Sequence, residues 1–307
     1  MKLRNSLLLL LAALIWGIAF VFQTKGMDYI GPFTFNFFRQ LLSGVVMTLF
    51  LIITRKEQKA PVLPPTQLGR KDLLKAGLCC GALMFAITGF QQLGLLYTTA
   101  GKAGFITSTY ILFVPVLGLL IGRRTRPIVW LALAIAMAGL YFLCLHEQLS
   151  VNRGDVLTLF CALANAVHIL CIGYFAPKVD TLPFACCQFF VSAFCAGICM
   201  LLFETPDFSA ILAAWVPLLY TGILSGGVAF TLQIIGQKGL SPAISALLLG
   251  MESVFAAIGG WLFLQQAMNQ REILGCVLMF IAIVLAEAMP ERKKELPPTL
   301  NQPISNQ

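Results

Sequence analysis

Few ionisable side chains interrupt the long apolar runs of this sequence, and those few are where any chemistry inside the runs has to lie. Arg39 falls in the run 32–54, where a guanidinium can hold a carboxylate through paired hydrogen bonds or, alternatively, reach back to the surface and anchor its helix. Glu252 falls about mid-way along the run 241–264 and is the most deeply placed carboxylate. It can bind a cationic group, exchange a proton as its surroundings open, or accept hydrogen bonds that lock two helices together. An Arg39–Glu252 pair would satisfy both charges. Asn165 and His168 are three residues apart, hence on one face of a helix over 155–176; a histidine there can relay protons or make an ordinary interhelical hydrogen bond. Gln91, Gln188 and Gln233 stand at comparable depths in three other runs, and an amide that both donates and accepts suits recognition of amino or carboxylate groups. Trp16 and Tyr110 offer flat walls to a solute, Trp16 with an indole donor as well. With 24 Phe in the chain, plain packing is the alternative reading of either aromatic.

The same residues exclude much. An intramembrane enzyme needs a convergent set such as paired carboxylates or His-Glu-x-x-His, and the chain has neither at depth. There is no Gly-x-x-x-x-Gly-Lys-Ser/Thr for a nucleotide. The adjacent pairs Cys79-Cys80 and Cys186-Cys187 lack metal-ligand spacing, and the ten cysteines read as small buried apolar residues without a disulfide framework. No metal or cofactor is expected. A channel would show a ring of like charge, and a non-transporting scaffold would show sizeable extramembrane domains; neither is evident.

The elements that position these residues follow from composition. Of 307 residues, 59% are apolar and 11% charged, against roughly 25% charged in soluble domains. A span of about 20 apolar residues crosses the bilayer core, and the chain offers about ten: 6–22, 32–54, 73–96, 101–121, 127–145, 155–176, 182–203, 211–236, 241–264 and 272–289. The expected fold is an all-α integral membrane protein. The first run keeps bulky Trp16 and Phe20 and has no small-residue cleavage site, which reads as a retained helix, not a removed signal. The net charge of +8 belongs to topology, not nucleic-acid binding: of 21 Lys and Arg, 16 fall in loops on one side and four, Lys25, Lys102, Arg153 and Arg271, on the other. Both termini are therefore expected in the cytoplasm, with residues 290–307 a solvated tail.

Five spans precede the polar segment 146–154 and five follow, so two halves, 1–145 and 155–289, would have opposite orientation. Gln91-x-x-Gly94 in the third span echoes Gln233-x-x-Gly236 in the eighth. Inverted repeats of this kind place a solute pathway between the halves near the midplane. Gly77-x-x-x-Gly81, Gly118-x-x-x-Gly122 and Gly222-x-x-x-Gly226 are expected to be close helix-packing seams.

Taken in order, several short motifs resemble the ten-helix EamA-type permeases of the drug/metabolite transporter superfamily. They are Ala13-Leu14-Ile15-Trp16-Gly17, Gly31-Pro32 to Phe38-Arg39, Gly94 to Thr107, Val114-Pro115-Val116-Leu117 with Arg123-Arg124, Ser241-Pro242, Glu252 to Ala257, Gly275 and Glu287. The chain departs from that pattern with Glu252-Ser253 where the family has Glu-Pro, and with Gln265-Gln266 where it has Gly-Glu. The resemblance implies two inverted five-helix repeats around a central cavity and export or facilitated movement of small organic metabolites such as amino acids. It also favours a bacterial-type plasma (inner) membrane. The partners implied are a small organic solute, the lipid bilayer and, for coupling, protons.

Overall fold

The computed structural model describes residues 2–57, 70–98, 100–123, 125–144, 152–264 and 269–287, and among these it contains helices and turns but no strand. In hydrocarbon each backbone N–H and C=O must find its partner within the chain, and for apolar runs of this length the helix is the solution. The helices are α1 (Lys2–Met27), α2 (Pro32–Glu57), α3 (Arg70–Leu95), α4 (Ala100–Ser108), α5 (Tyr110–Leu120), α6 (Pro127–Cys144), α7 (Arg153–Phe175), α8 (Thr181–Phe203), α9 (Phe208–Ala213) and α10 (Trp215–Leu219). A π-helical stretch (Tyr220–Ala229) follows, then α11 (Phe230–Gly236), α12 (Pro242–Leu249), α13 (Glu252–Leu264) and α14 (Gln270–Glu287). Among the described residues, seven segments are long and apolar enough to cross a membrane, and Pro127–Leu143 and Pro242–Ile258 are shorter apolar helices. The burial pattern is that of a lipid-facing bundle. Leu49, Ile53, Leu202, Phe203 and Phe280 are more than half exposed, whereas Asn36, Ser108, His168 and Gln188 are fully enclosed. Water would favour the reverse.

Side-chain contacts define the two ends of the bundle. At one end the Asn5 amide donates to the carbonyl of Lys238, and the Lys238 ammonium donates to Thr181 Oγ1 at 2.6 Å. The Arg123 guanidinium lies there too, against Gly173 near the end of α7. This is the basic end. At the other, Thr98 Oγ1 donates to Asp155 at 2.9 Å, joining the end of α3 to the start of α7. Glu204, just past α8, accepts from the Phe33 and Thr34 amides and the Thr34 hydroxyl, capping the exposed donors at the start of α2. Asn152 and Asp155 form a reciprocal capping box on α7.

Among the described residues the runs 101–121 and 241–264 are each broken part-way. Thr109 separates α4 from α5, and Gly250 and Met251 separate α12 from α13. The second break forms with Ser253 in the place of proline, so a proline is not what interrupts this run. The breaks meet: Ser108 Oγ and Ser253 Oγ are 2.7 Å apart. Elsewhere glycine permits close approach. A Cβ on Gly139 would fall 2.9 Å from the Gly275 carbonyl, and one on Gly275 would fall 2.6 Å from that of Gly139, so α6 and α14 touch backbone to backbone. Gly77 and Gly81 lie on Cys187 and Val191 of α8, and Gly222 and Gly226 on Leu42 and Ser43 of α2, as expected of packing seams.

Gly118-x-x-x-Gly122 is different. No neighbouring helix meets Gly118. Instead Gly122 adopts φ +76°, the Arg123 amide donates to Gly118 O and the Gly122 amide to Leu119 O, which is how a helix closes on a left-handed glycine. The spacing that resembles a seam is a terminator. Cys79 also departs from expectation, since it is exposed rather than buried, with its Sγ 4.0 Å from that of Cys171. Gln265-Gln266, the side chain of Cys144, most of the segment 146–154 and the tail 290–307 lie outside the described residues.

Candidate functional site

Trp16, Phe20 and Gln23 recur at i, i+4 and i+7 and therefore share one face of α1. That face forms one wall of a cavity of about 60 Å³ within the bundle. Opposite it stand Arg39 and Gln40 from α2, Thr88 and Gln91 from α3, Asn165 from α7 and Glu252 from the start of α13. Five of the nine residues singled out from the sequence, Trp16, Arg39, Gln91, Asn165 and Glu252, thus converge on one space.

Arg39 is 6% exposed and does not reach out to the surface. Its Nη1 donates to Gln23 Oε1 at 3.1 Å, and its guanidinium carbon stands 5.7 Å from the centre of the Phe35 ring. Its Nε has no partner among the described residues. Glu252 is 7% exposed and lies next to the Tyr110 hydroxyl, which itself makes no hydrogen bond at bonding distance. Cation and carboxyl border the same cavity, yet Arg39 bonds Gln23 and no Arg39–Glu252 ion pair forms among the described residues. A buried polar group left without a partner costs about 1–3 kcal/mol, and this wall leaves Arg39 Nε and Gln40 Oε1 without one among the described residues.

The remaining four candidates lie outside this cavity. Tyr110 is fully buried beside Glu252. His168 Nε2 and Gln188 Oε1 pair at 3.3 Å between α7 and α8, the interhelical bond that was one of the two readings of His168. Gln233 is enclosed on α11 with its Oε1 unpaired. The Trp16 indole is committed as well: its Nε1 donates to Ser225 O at 3.0 Å, so the cavity meets its ring and not its N–H.

Sequence reasoning missed the π-helical stretch. A π turn leaves carbonyls out of the ordinary i to i−4 ladder. Here Gly222 O accepts from Ser43 Oγ at 2.6 Å and Ser225 O from Trp16. The cluster Gly222, Gly226 and Gly227 in one run was the available signal. Gln23 and Gln40 were also passed over. The first was legible as the third member of the Trp16 face, and the second as the neighbour of Arg39.

Outside the membrane segments, Asp207 caps α9. Its carboxylate accepts from the Ser209 amide at 3.1 Å and the Ser209 hydroxyl at 2.5 Å, contacts that hold its pKa below the usual carboxylate range.

A lipid-facing helical bundle with a small interior cavity, bordered by an arginine and a glutamate, defines a polytopic membrane protein. The EamA-like transporter family model matches residues 4–145 and again 152–287, and the chain belongs to that family. It is a membrane transporter rather than an enzyme. It is 29% identical over 287 residues to an uncharacterized transporter of Archaeoglobus fulgidus, covering 92% of this chain and 86% of the relative. It is 24% identical to the uncharacterized transporter YoaV of Bacillus subtilis, with 92% and 96% covered, and 24% identical to the uncharacterized inner membrane transporter YedA of Escherichia coli K12, with 89% and 87% covered. A protein of known crystal structure shares the fold at TM-score 0.77 and 18% identity, covering 94% of this chain and 98% of that one.

Proposed function

We propose that the protein moves a small organic solute carrying both a carboxylate and an amino group, with amino acids as the model class, by alternating access around the central cavity. The observation that carries this reading is the cavity wall: Arg39 and Glu252 face one space without pairing with each other, and Gln91 and Asn165 add groups that donate and accept. A guanidinium suits a carboxylate, and a carboxylate suits an ammonium. At about 60 Å³ the space holds a few waters and must widen to take a solute, which fits one stage of a cycle.

The two halves supply the moving parts in this reading, as inverted five-helix repeats over 1–145 and 155–289. Support comes from the family model matching once on each side of the middle and from equivalent contacts in the two halves. Gly94 on α3 packs against Gly154 and Thr158 near the start of α7, and Gly236 on α11 packs against Asn5 and Leu9 near the start of α1. The basic end faces the cytoplasm with both termini, and protons are the coupling ion to test first because Glu252 is a carboxylate on the pathway.

The test is uptake of radiolabelled amino acids and small organic cations into proteoliposomes, with and without an imposed pH gradient, against empty liposomes. Saturable uptake that follows the gradient is expected. Saturable uptake indifferent to pH would replace coupling by facilitation, and no uptake from folded protein would remove this solute class. Proteolysis of the C-terminal tail from the inside of oriented membrane vesicles checks the orientation.

A further inference from the structure

Asn165 and His168 share a face of α7, three residues apart, but only Asn165 lines the central cavity. The Phe230 ring accounts for the difference. It lines the cavity, packs edge-on against Trp16 at 4.7 Å, and stands 6.3 Å from His168 and 6.1 Å from Phe189. Phe230 is also the residue at which the π-helical stretch gives way to α11. Behind it, nearer the basic end, is a small polar group in otherwise apolar surroundings. His168, Gln188 and Ser192 are each fully buried. His168 bonds Gln188, and Ser192 follows Gln188 by one helical turn on the same face of α8. One polar atom of each stays unpaired: His168 Nδ1, Gln188 Nε2 and Ser192 Oγ. Met84 and Cys80 of α3, Ile172 of α7 and Phe184 and Phe189 of α8 form one apolar cluster between the same helices, and no partner among the described residues completes the hydrogen bonding.

We propose that His168, Gln188 and Ser192 form a second station for the transported solute, one helical turn from the central cavity toward the basic end and closed off from it by the Phe230 ring. An imidazole nitrogen, an amide N–H and a hydroxyl together take a neutral hydrogen-bonding group or an amine, not a bare carboxylate, because the station holds no cation. When the ring swings aside, the solute's polar end passes from Asn165 to His168 along a single helix face. The unpaired atoms are then the ones the solute satisfies. This inference rests on the transport reading, and its two tests are arranged to separate the one from the other.

The first test needs no solute. The intact protein in liposomes is treated with diethyl pyrocarbonate, and carbethoxylation of His168 is followed by mass spectrometry, with His146, the only other histidine of the chain, as the internal standard. Modification of His168 is expected to be slow in the wild type, severalfold faster in Phe230→Ala, and unchanged in Phe160→Ala, which alters an aromatic on α7 that is half exposed. If Phe230→Ala does not fold, Phe230→Leu replaces it, with a smaller rise expected. A rate in the folded variant equal to that of the wild type overturns the gate whatever the uptake assay gives. The second test uses whichever labelled amino acid shows saturable uptake. Gln188→Leu is expected to lower maximal flux severalfold with KM held within a factor of two, whereas Gln91→Leu raises KM. A Gln188→Leu variant that keeps full flux, or changes only KM, overturns the station. Absence of uptake of any labelled solute counts against the transport reading, while the labelling result still decides whether the polar group opens onto the cavity.

Discussion

The two segments that carry the repeated Gln-x-x-Gly motif differ in backbone and in role. α3 is an unbroken α-helix of 26 residues, and its Gln91 lines the cavity. The matching segment is assembled from α10, the π-helical stretch and α11, and its Gln233 is buried away from the cavity. What the second segment presents to the cavity instead is Thr221, Ser225, Gly226 and Phe230. The glycines of the two motifs do equivalent work, each admitting the start of another helix, so the motif records packing. The glutamines do not. The two segments thus share a packing contact and differ in what they present to the cavity.

Four measurements test how far the two segments differ. The largest effect should come from glycine. A methyl at Gly226 would sit 1.9 Å from Ser43 Oγ, whereas at Gly89 of α3 it would meet nothing within 4 Å. Gly226→Ala is expected to destabilise by about 2 kcal/mol or more through overpacking, and Gly89→Ala to stabilise by up to about 1 kcal/mol through helix propensity, both read from thermal unfolding in detergent. Equal shifts would mean that the π-helical segment is no tighter than its counterpart. Next, Gln91→Leu should raise KM for a transported amino acid by about tenfold, as expected for a lost buried hydrogen bond, and Gln233→Leu should leave it unchanged. The reverse order would assign the lining to the wrong half.

A smaller effect is expected from Trp16→Phe, which keeps the ring and removes the donor to Ser225 O. The loss should be about 1 kcal/mol of stability, and no change would show that the π-helical carbonyl is satisfied without it. The smallest concerns the approach to α10. Because Ser209 holds the Asp207 carboxyl below its ordinary range, the α9 cap is fully present above the unfolded-state value of about 3.9 and is lost as pH falls through the lower folded-state value. Amide exchange at Ser209 and Ala210 should be protected at neutral pH and lose protection only below that range. Protection lost near pH 5 would require another group.

Most of the helices could be read from sequence because hydrocarbon enforces long apolar runs. Pro32, Pro127 and Pro242 marked helix starts, since a missing N–H costs nothing in the first turn. The helix breaks were less visible. Thr109 carries no turn chemistry, and α12 and α13 part at Gly250 and Met251 without a proline. Of the site, Arg39, Glu252, Gln91, Asn165 and Trp16 were found because a polar or aromatic side chain at depth needs a reason. Which of the deep polar residues share a space could not be read, because that depends on how helices rotate against one another. His168 is one turn from Asn165 on the same face of α7, yet it lies outside the cavity, with its ring beside Phe230 from a distant part of the chain. The π-helical register had no signal beyond its glycines.

The reciprocal contact of Gly139 and Gly275 has a consequence for how this chain can change over generations. Each glycine's missing side chain is replaced by the other's carbonyl, so a methyl gained at either position strikes backbone, which no rotamer change can clear. No single mutation at one can be rescued by a smaller residue at the other, because none exists. Here α6 and α14 remain tied, and neither helix can be redesigned alone at this contact.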